Sequence, residues 1–240
     1  MTSRRRSREA QAPQLARLAG LIADETRAAF LLALLDGRAW TAGELARHAG
    51  VAASTTSEHL GKLIDGALLT EERQGRHRYV RLADPRVAQL VEDLAAQVAP
   101  GTAERPRTLR EAGAGSAMAR GRTCYDHLAG RLGIAVTDAL TARGLLRQDT
   151  GFALTDDGLD WFTSVGIGLT PGGRRPLARA CLDWTERRPH LAGVAGAALC
   201  RHALEAGWCV RIGSERAVKV TEQGERTLAQ LLGIEAAALR

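Results

Sequence analysis

From Gln14 to Gly37 ("QLARLAGLIADETRAAFLLALLDG") apolar residues recur at helical spacing, and the run ends on a glycine suited to a C-cap. This predicts one helix over 14–37. In "TAGELARHAG", Thr41 and Glu44 have the spacing of a capping box, which starts a short helix stopped by Gly50. Thr55 and Glu58 in "STTSEHLGKLIDGALL" repeat that spacing after the turn "GVAA". Two short capped helices across such a turn read as a helix-turn-helix. On the second helix Leu60, Leu63, Ile64 and Ala67 cluster inward at 100° per residue. Ser54, Thr55, Glu58 and Lys62 face outward, flanked by Ser57 and His59. A helix end rich in short hydroxyls suits a major groove, and its free N–H groups favour phosphate.

"LLTEERQGRHRYVRL" (68–82) alternates like a strand on both sides of Gly75, which predicts a β-hairpin. Its tip carries Arg73, Arg76, His77 and Arg78, placed as a wing to reach phosphates or a minor groove. An amphipathic helix is expected over 84–98, then a Pro/Gly-rich linker over 99–117.

Beyond the linker the chain repeats itself. Leu128, Ala129, Gly130, Gly133, Ala135 and Gly144 meet Leu191, Ala192, Gly193, Gly196, Ala198 and Gly207 at a constant offset. With slippage, "LTDDG" (154–158) meets "VTEQG" (220–224) and "VGI" (165–167) meets "LGI" (232–234). Two units, about 118–170 and 176–236, are expected, each ending in the outline of a winged helix. The fold class is thus mainly α with small β-hairpin wings (α+β): an N-terminal winged helix-turn-helix plus two winged-helix-like repeats. The recognition-like helices of the repeats are not basic, so sensing or dimerisation suits them better than DNA.

Composition narrows the class. The net charge is +6, with 17 Arg/Lys against 13 Asp/Glu in residues 1–110, a surplus placed where a nucleic-acid footprint would need it. Nearly all of these bases are Arg, which a GC-rich genome would also produce. Residues 1–11 are basic without a following apolar stretch, so they are expected to be a disordered arm rather than a secretory signal. No apolar run is long enough for a membrane span. Four cysteines without paired spacing fit a reducing, cytoplasmic setting.

The segment "ELARHAGVAASTTSEHLGKLIDGALL" followed by "GRHRYVRL" resembles the ArsR family of winged-helix repressors over residues 12–98. The resemblance implies a homodimer on double-stranded DNA, with Leu15–Gly37 and Pro85–Val98 at the two-fold interface. It implies recognition by Ser54, Thr55, Ser57, His59 and Lys62. Metal-sensing members carry Cys-x-Cys in the first helix of the motif, and "ELARHAG" has none, so no metal switch is expected there.

Candidate chemistry lies in the repeats. Cys124 and His127, three apart, would share a helix face, while Cys181 and His190 stand nine apart across Pro189. If the units pack about a pseudo-two-fold, these four could converge on a metal. Cys124 and Cys181 could instead form a reversible disulfide, with Asp126 and Asp183 shaping their reactivity. Purely structural roles stay open, as they are for Cys200 and Cys209. A pocket lined by Tyr125, Trp161, Phe162, Trp184 and Trp208 would admit a small molecule. The leading reading is a non-enzymatic repressor whose C-terminal region answers a metal, an oxidant or a small molecule. Two alternatives stand beside it: an enzyme using Cys124 and His127 as nucleophile and base, and an architectural DNA-binding protein without effector. No phosphate loop, G-x-S-x-G or zinc-protease motif favours the enzyme.

Overall fold

The structure, a computed structural model, describes residues 2–75, 77–98, 116–149, 151–170, 175–212 and 216–239, without the side chains of 2–10 and His77. The expected linker falls almost wholly outside the described residues, as does Arg76. The chain divides into two compact units, one reaching Val91 and one beginning at Glu92.

The first unit opens with helices α1 (Thr2–Ile22) and α2 (Glu25–Leu34). The single helix expected over 14–37 is therefore two, because Asp24 takes an extended conformation and caps α2 through the N–H of Arg27 at 2.9 Å. α1 also begins inside the segment expected to be a disordered arm. Strand β1 (Trp40–Thr41) leads into α3 (Ala42–Ala49), where Thr41 and Glu44 form the expected capping box and Gly50 ends the helix in the left-handed region. α4 (Ala53–Asp65) starts at Ala52 with no side-chain cap. The second expected box is absent because α4 begins two residues before Thr55, which therefore lies inside the helix, and Glu58 turns to Lys62 (2.7 Å), one helical turn on.

Phe30, Leu31, Leu34, Leu45, Leu60 and Leu63 are fully buried and lock α2, α3 and α4 into one core. Each such side chain contributes about 1.5–3 kcal/mol through burial. Ala67, expected inward, is exposed, since α4 ends at Asp65 and Ala67 adopts a positive φ of 56°. Strands β2 (Leu69–Gln74) and β3 (His77–Leu82) form the expected hairpin, with Gly75 at φ 59°. β1 pairs with β3 and completes a three-stranded sheet that periodicity could not announce from two residues. α5 (Pro85–Ala95) follows, with Asp84 accepting from the N–H groups of Arg86 and Val87.

The second unit runs through one order of elements twice. First come β4 (Arg122–Cys124), β5 (His127–Ala129), α6 (Gly130–Ala142), β6 (Leu146–Arg147), β7 (Ala153–Leu154) and α7 (Asp156–Ser164). Then come β8 (Arg179–Leu182), β9 (Pro189–Ala192), α8 (Gly193–Glu205), β10 (Cys209–Arg211), β11 (Val218–Val220) and α9 (Glu222–Leu232). Thr155 and Thr221, the threonines of "LTDDG" and "VTEQG", cap α7 and α9 at equivalent N–H groups. Gly130 and Gly193 turn each strand into its helix at φ 70° and 83°, a conformation that disfavours a side chain. The two halves are interleaved: α8 packs on β5 and α6 on β9. Leu132, Leu140, Phe162, Ala195, Leu199 and Leu228 share the resulting core.

Candidate functional site

The helix-turn-helix presents its expected surface in part. Ser54, Ser57 and Glu58 are exposed, Lys62 is exposed beside Glu58, and Thr55 is half-buried. His59 is turned away from that surface. Its Nδ1 lies 3.2 Å from Arg27 Nη1 and 3.6 Å from Asp24, so it ties α4 to α2. On the wing Arg73 is exposed, whereas Arg78 is ion-paired with Glu71 on the neighbouring strand. Arg76 and the His77 side chain lie outside the described residues.

In the second unit the four expected Cys and His residues come together. They do so by hairpin register rather than by a shared helix face. Cys124 is the ladder partner of His127, and Cys181 is the ladder partner of His190. The unequal sequence spacing follows from the turns. Tyr125 and Asp126, with Tyr125 at φ 57°, close the first hairpin tightly, while the second carries the longer loop 183–188. Pro189 opens strand β9. One ligand-capable atom from each residue lies within 4.8 Å of all the others. Cys124, His127, Cys181 and His190 are 3%, 2%, 1% and 0% exposed, so the cluster is sealed from solvent.

The aspartates of the two Cys-x-Asp segments stand behind the histidines. His127 Nδ1 is 3.2 Å from Asp126 Oδ1, and Arg175 grips that carboxylate at 2.6 and 2.9 Å. His190 Nδ1 is 3.7 Å from Asp183 Oδ2. Asp183 is itself ion-paired with the fully buried Arg122 at 2.8 Å and accepts the Gly130 N–H at 2.7 Å. Arg122 covers the Trp184 ring at 4.5 Å. His127 Nε2 and both ring nitrogens of His190 are buried and make no hydrogen bond of ordinary geometry among the described residues, with the Cys181 sulfur the group that both rings face. Buried polar atoms without partners are rare in native proteins and point to a missing occupant.

The electrostatics divide the two thiols. Burial pushes Cys124 up, and its contact with Cys181 adds to the rise. Cys181 is held far below an ordinary thiol, first by the hydrogen bond from Cys124 and then by the two imidazoles facing it. Burial alone would lower His127, but Asp126, Cys181 and Glu92 raise it to about 10. His190 is lowered, mainly by burial. The expected nucleophile Cys124 therefore lies against a second buried thiol, and the two imidazoles face Cys181.

Glu92, which sequence reasoning did not single out, lies on α5 with Oε2 at 3.7 Å from Cys181 Sγ. Burial raises it to about 7. Its signal in the sequence was an ordinary amphipathic position beside Asp93.

Among the described residues the expected aromatics make separate contacts. Trp161 meets Phe162 edge-on, Trp208 meets His202, and Trp184 meets Arg122. An open cavity of about 810 Å³ does exist, bounded by Gly121, Leu132, Val210, Val218, Glu225 and Leu239, and none of those aromatics reaches it. Among the described residues no helix is long and apolar enough to cross a membrane.

Known proteins place this architecture. The helix-turn-helix domain family matches residues 22–72, which run from α1's end into β2. The chain is 38% identical to the HTH-type transcriptional regulator YdfF of Bacillus subtilis over 226 residues, covering 93% of this chain and 99% of the relative. It is 36% identical to the HTH-type transcriptional regulator CmtR of Mycobacterium tuberculosis over 104 residues, 43% of this chain and 87% of the relative. The crystal structure of the transcriptional repressor BigR from Xylella fastidiosa aligns with 41% of this chain and 98% of that one, at 27% identity and a TM-score of 0.35. With one likeness running nearly from end to end and the family match lying on the DNA-binding motif, the chain belongs to the winged helix-turn-helix transcriptional regulators of the ArsR type.

Proposed function

We propose that the protein is a homodimeric repressor that reads operator DNA through α4 and the β2–β3 wing, and that its second unit answers an effector at the Cys124, His127, Cys181 and His190 cluster. The observation that carries the DNA reading is the division of α4. Leu60 and Leu63 seal one side, while Ser54, Ser57 and Lys62 stand exposed on the other. The N-terminus of α4 has no side-chain cap, so its N–H groups are free to meet a phosphate. Phosphate contacts supply most of the affinity, and the α4 side chains supply the sequence preference.

The homodimer is supported by where large apolar side chains lie bare. Leu15, Leu32, Leu94 and Val98 are 67%, 45%, 44% and 62% exposed, and all fall within the two segments expected at the two-fold interface. The sealed cluster supports an effector role rather than catalysis, because a substrate cannot reach thiols that are 3% and 1% exposed.

Gel-shift titration against the protein's own upstream DNA, repeated across salt concentrations, tests the reading. A steep loss of affinity with salt and a preference over scrambled DNA are expected; salt-insensitive binding without preference overturns it. Light scattering of the free protein checks the dimer.

A further inference from the structure

We propose that Cys124, His127, Cys181 and His190 form one closed tetrahedral site for a thiophilic divalent cation of the zinc and cadmium class. This deepens the effector reading above and rests on it only for the consequence in DNA binding; the binding of metal stands by itself.

Geometry argues first. Zinc–sulfur bonds of about 2.3 Å at tetrahedral angles set the two sulfurs about 3.8 Å apart. Cys124 Sγ and Cys181 Sγ are 3.9 Å apart. A disulfide would need about 2.05 Å. The two hairpins each deliver one sulfur and one imidazole across a single ladder rung, and the four donor atoms lie within 4.8 Å of one another.

The shell behind the ligands argues second. Metal-bound histidines usually hold their other ring nitrogen against a carboxylate, which fixes the tautomer and aims the free nitrogen at the ion. Asp126 does this for His127, and Asp183 lies at the equivalent place for His190. In both rings Nε2 is buried without a hydrogen bond of ordinary geometry among the described residues, and both rings face the Cys181 sulfur. Arg175 and Arg122 neutralise the two aspartates, so these carboxylates serve as orienting groups and not as further ligands.

Charge and access argue third. Two thiolates balance one divalent cation, so the loaded site is neutral and tolerates complete burial. Two protons leave to the buffer as the metal enters. Thiolate and imidazole donors select zinc and cadmium over magnesium and calcium, which require oxygen. Four protein ligands without an open position make a site that holds two hairpins together and does not activate water. Glu92 lies beside this set, with Oε2 3.7 Å from Cys181 Sγ and Cys124 also in reach, and is not one of the four converging donors.

The test uses the full chain, purified under reducing conditions, stripped with a chelator and titrated with cobalt(II) as the probe. One equivalent per chain is expected, with tetrahedral and thiolate-to-metal absorption bands, and zinc displaces it. Asp126→Asn should weaken binding by about 10- to 100-fold with the same stoichiometry. Glu92→Gln should leave stoichiometry and spectrum unchanged. The wild-type spectrum decides even if a cysteine variant fails to fold. An octahedral spectrum, no binding at one equivalent, or a Cys124–Cys181 disulfide in the reductively purified protein overturns the proposal. So does loss of the site in Glu92→Gln. Because DNA is absent from this readout, failure here leaves the operator reading intact, and failure of the gel shift leaves the metal site intact.

Discussion

Gly196 on α8 lies directly against His127 on β5: a Cβ at Gly196 would stand 3.2 Å from the Cβ of His127. Gly133 on α6 faces His190 in the same way, at 3.7 Å. Each helix thus supplies the floor beneath the histidine of the other hairpin. The repeated His-Leu-Ala-Gly-x-x-Gly therefore carries two halves of one device. Its histidine enters the cluster, and its last glycine makes room for the histidine of the opposite copy.

Gly196→Ala should destabilise the protein by about 1–3 kcal/mol through overpacking. The new methyl would also collide with the Leu191 carbonyl oxygen, and backbone cannot step aside as a flexible side chain would. Gly61, inside α4 with nothing within 4 Å of where a Cβ would stand, gives the opposite expectation. Gly61→Ala should stabilise by about 0.4–1 kcal/mol by removing backbone freedom from the unfolded chain. Urea unfolding of both variants measures the pair, and a neutral Gly196→Ala would refute the floor beneath His127.

Periodicity made most of the first unit legible, since Leu60 and Leu63 bury as the 100° pattern requires. It failed where a side chain chose another partner over the expected one. Glu58 takes Lys62 in place of an N-cap, and His59 takes Arg27 in place of solvent. The four residues of the cluster were legible from their repetition, but their geometry was not. Three-residue strands such as Arg122–Cys124 are too short to show alternation, so Cys124 and His127 pass for a helical pair. Glu92 was invisible because its partner Cys181 lies far along the chain.

The capping box of α3 should make stability depend on pH. The Thr41 backbone N–H first, and its hydroxyl second, hold Glu44 below the ordinary carboxylate value of 4.5. A depressed folded value means that the contribution is complete above 4.5 and fades as pH falls through the folded value. The stability gap between wild type and Glu44→Ala should therefore be largest at neutral pH and close in acid. Thr41→Ala should cost about 1 kcal/mol at neutral pH. Equilibrium unfolding across pH checks both, and a gap that widens in acid would contradict the box.

Cys200 and Cys209 should behave as packing residues. Burial raises both thiols to about 12, and neither belongs to the cluster. In the folded protein an alkylating reagent at mildly alkaline pH should leave both untouched, whereas denaturant should expose all four thiols. Peptide mapping by mass spectrometry reads the result. Rapid native labelling of Cys200 or Cys209 would show that the α8–β10 core opens far more readily than its packing implies.

The ion pair on α4 sets a testable brake on DNA affinity. Lys62 Nζ lies 2.7 Å from Glu58 Oε1, on the surface proposed to face the operator. A carboxylate there repels phosphate and occupies the one lysine on that helix, so Glu58→Gln should free Lys62 for a backbone contact. Binding should tighten several-fold at low salt, and the slope of log affinity against log salt should steepen by about one. Lys62→Ala should do the reverse, weakening binding to all sequences alike and flattening the slope by about one. Ser57→Ala, by contrast, should leave the slope unchanged and alter the ranking of operator variants, as a base-reading position would. Gel shifts over a salt series measure all three, and a Glu58→Gln variant that binds more weakly would place this face of α4 away from the DNA.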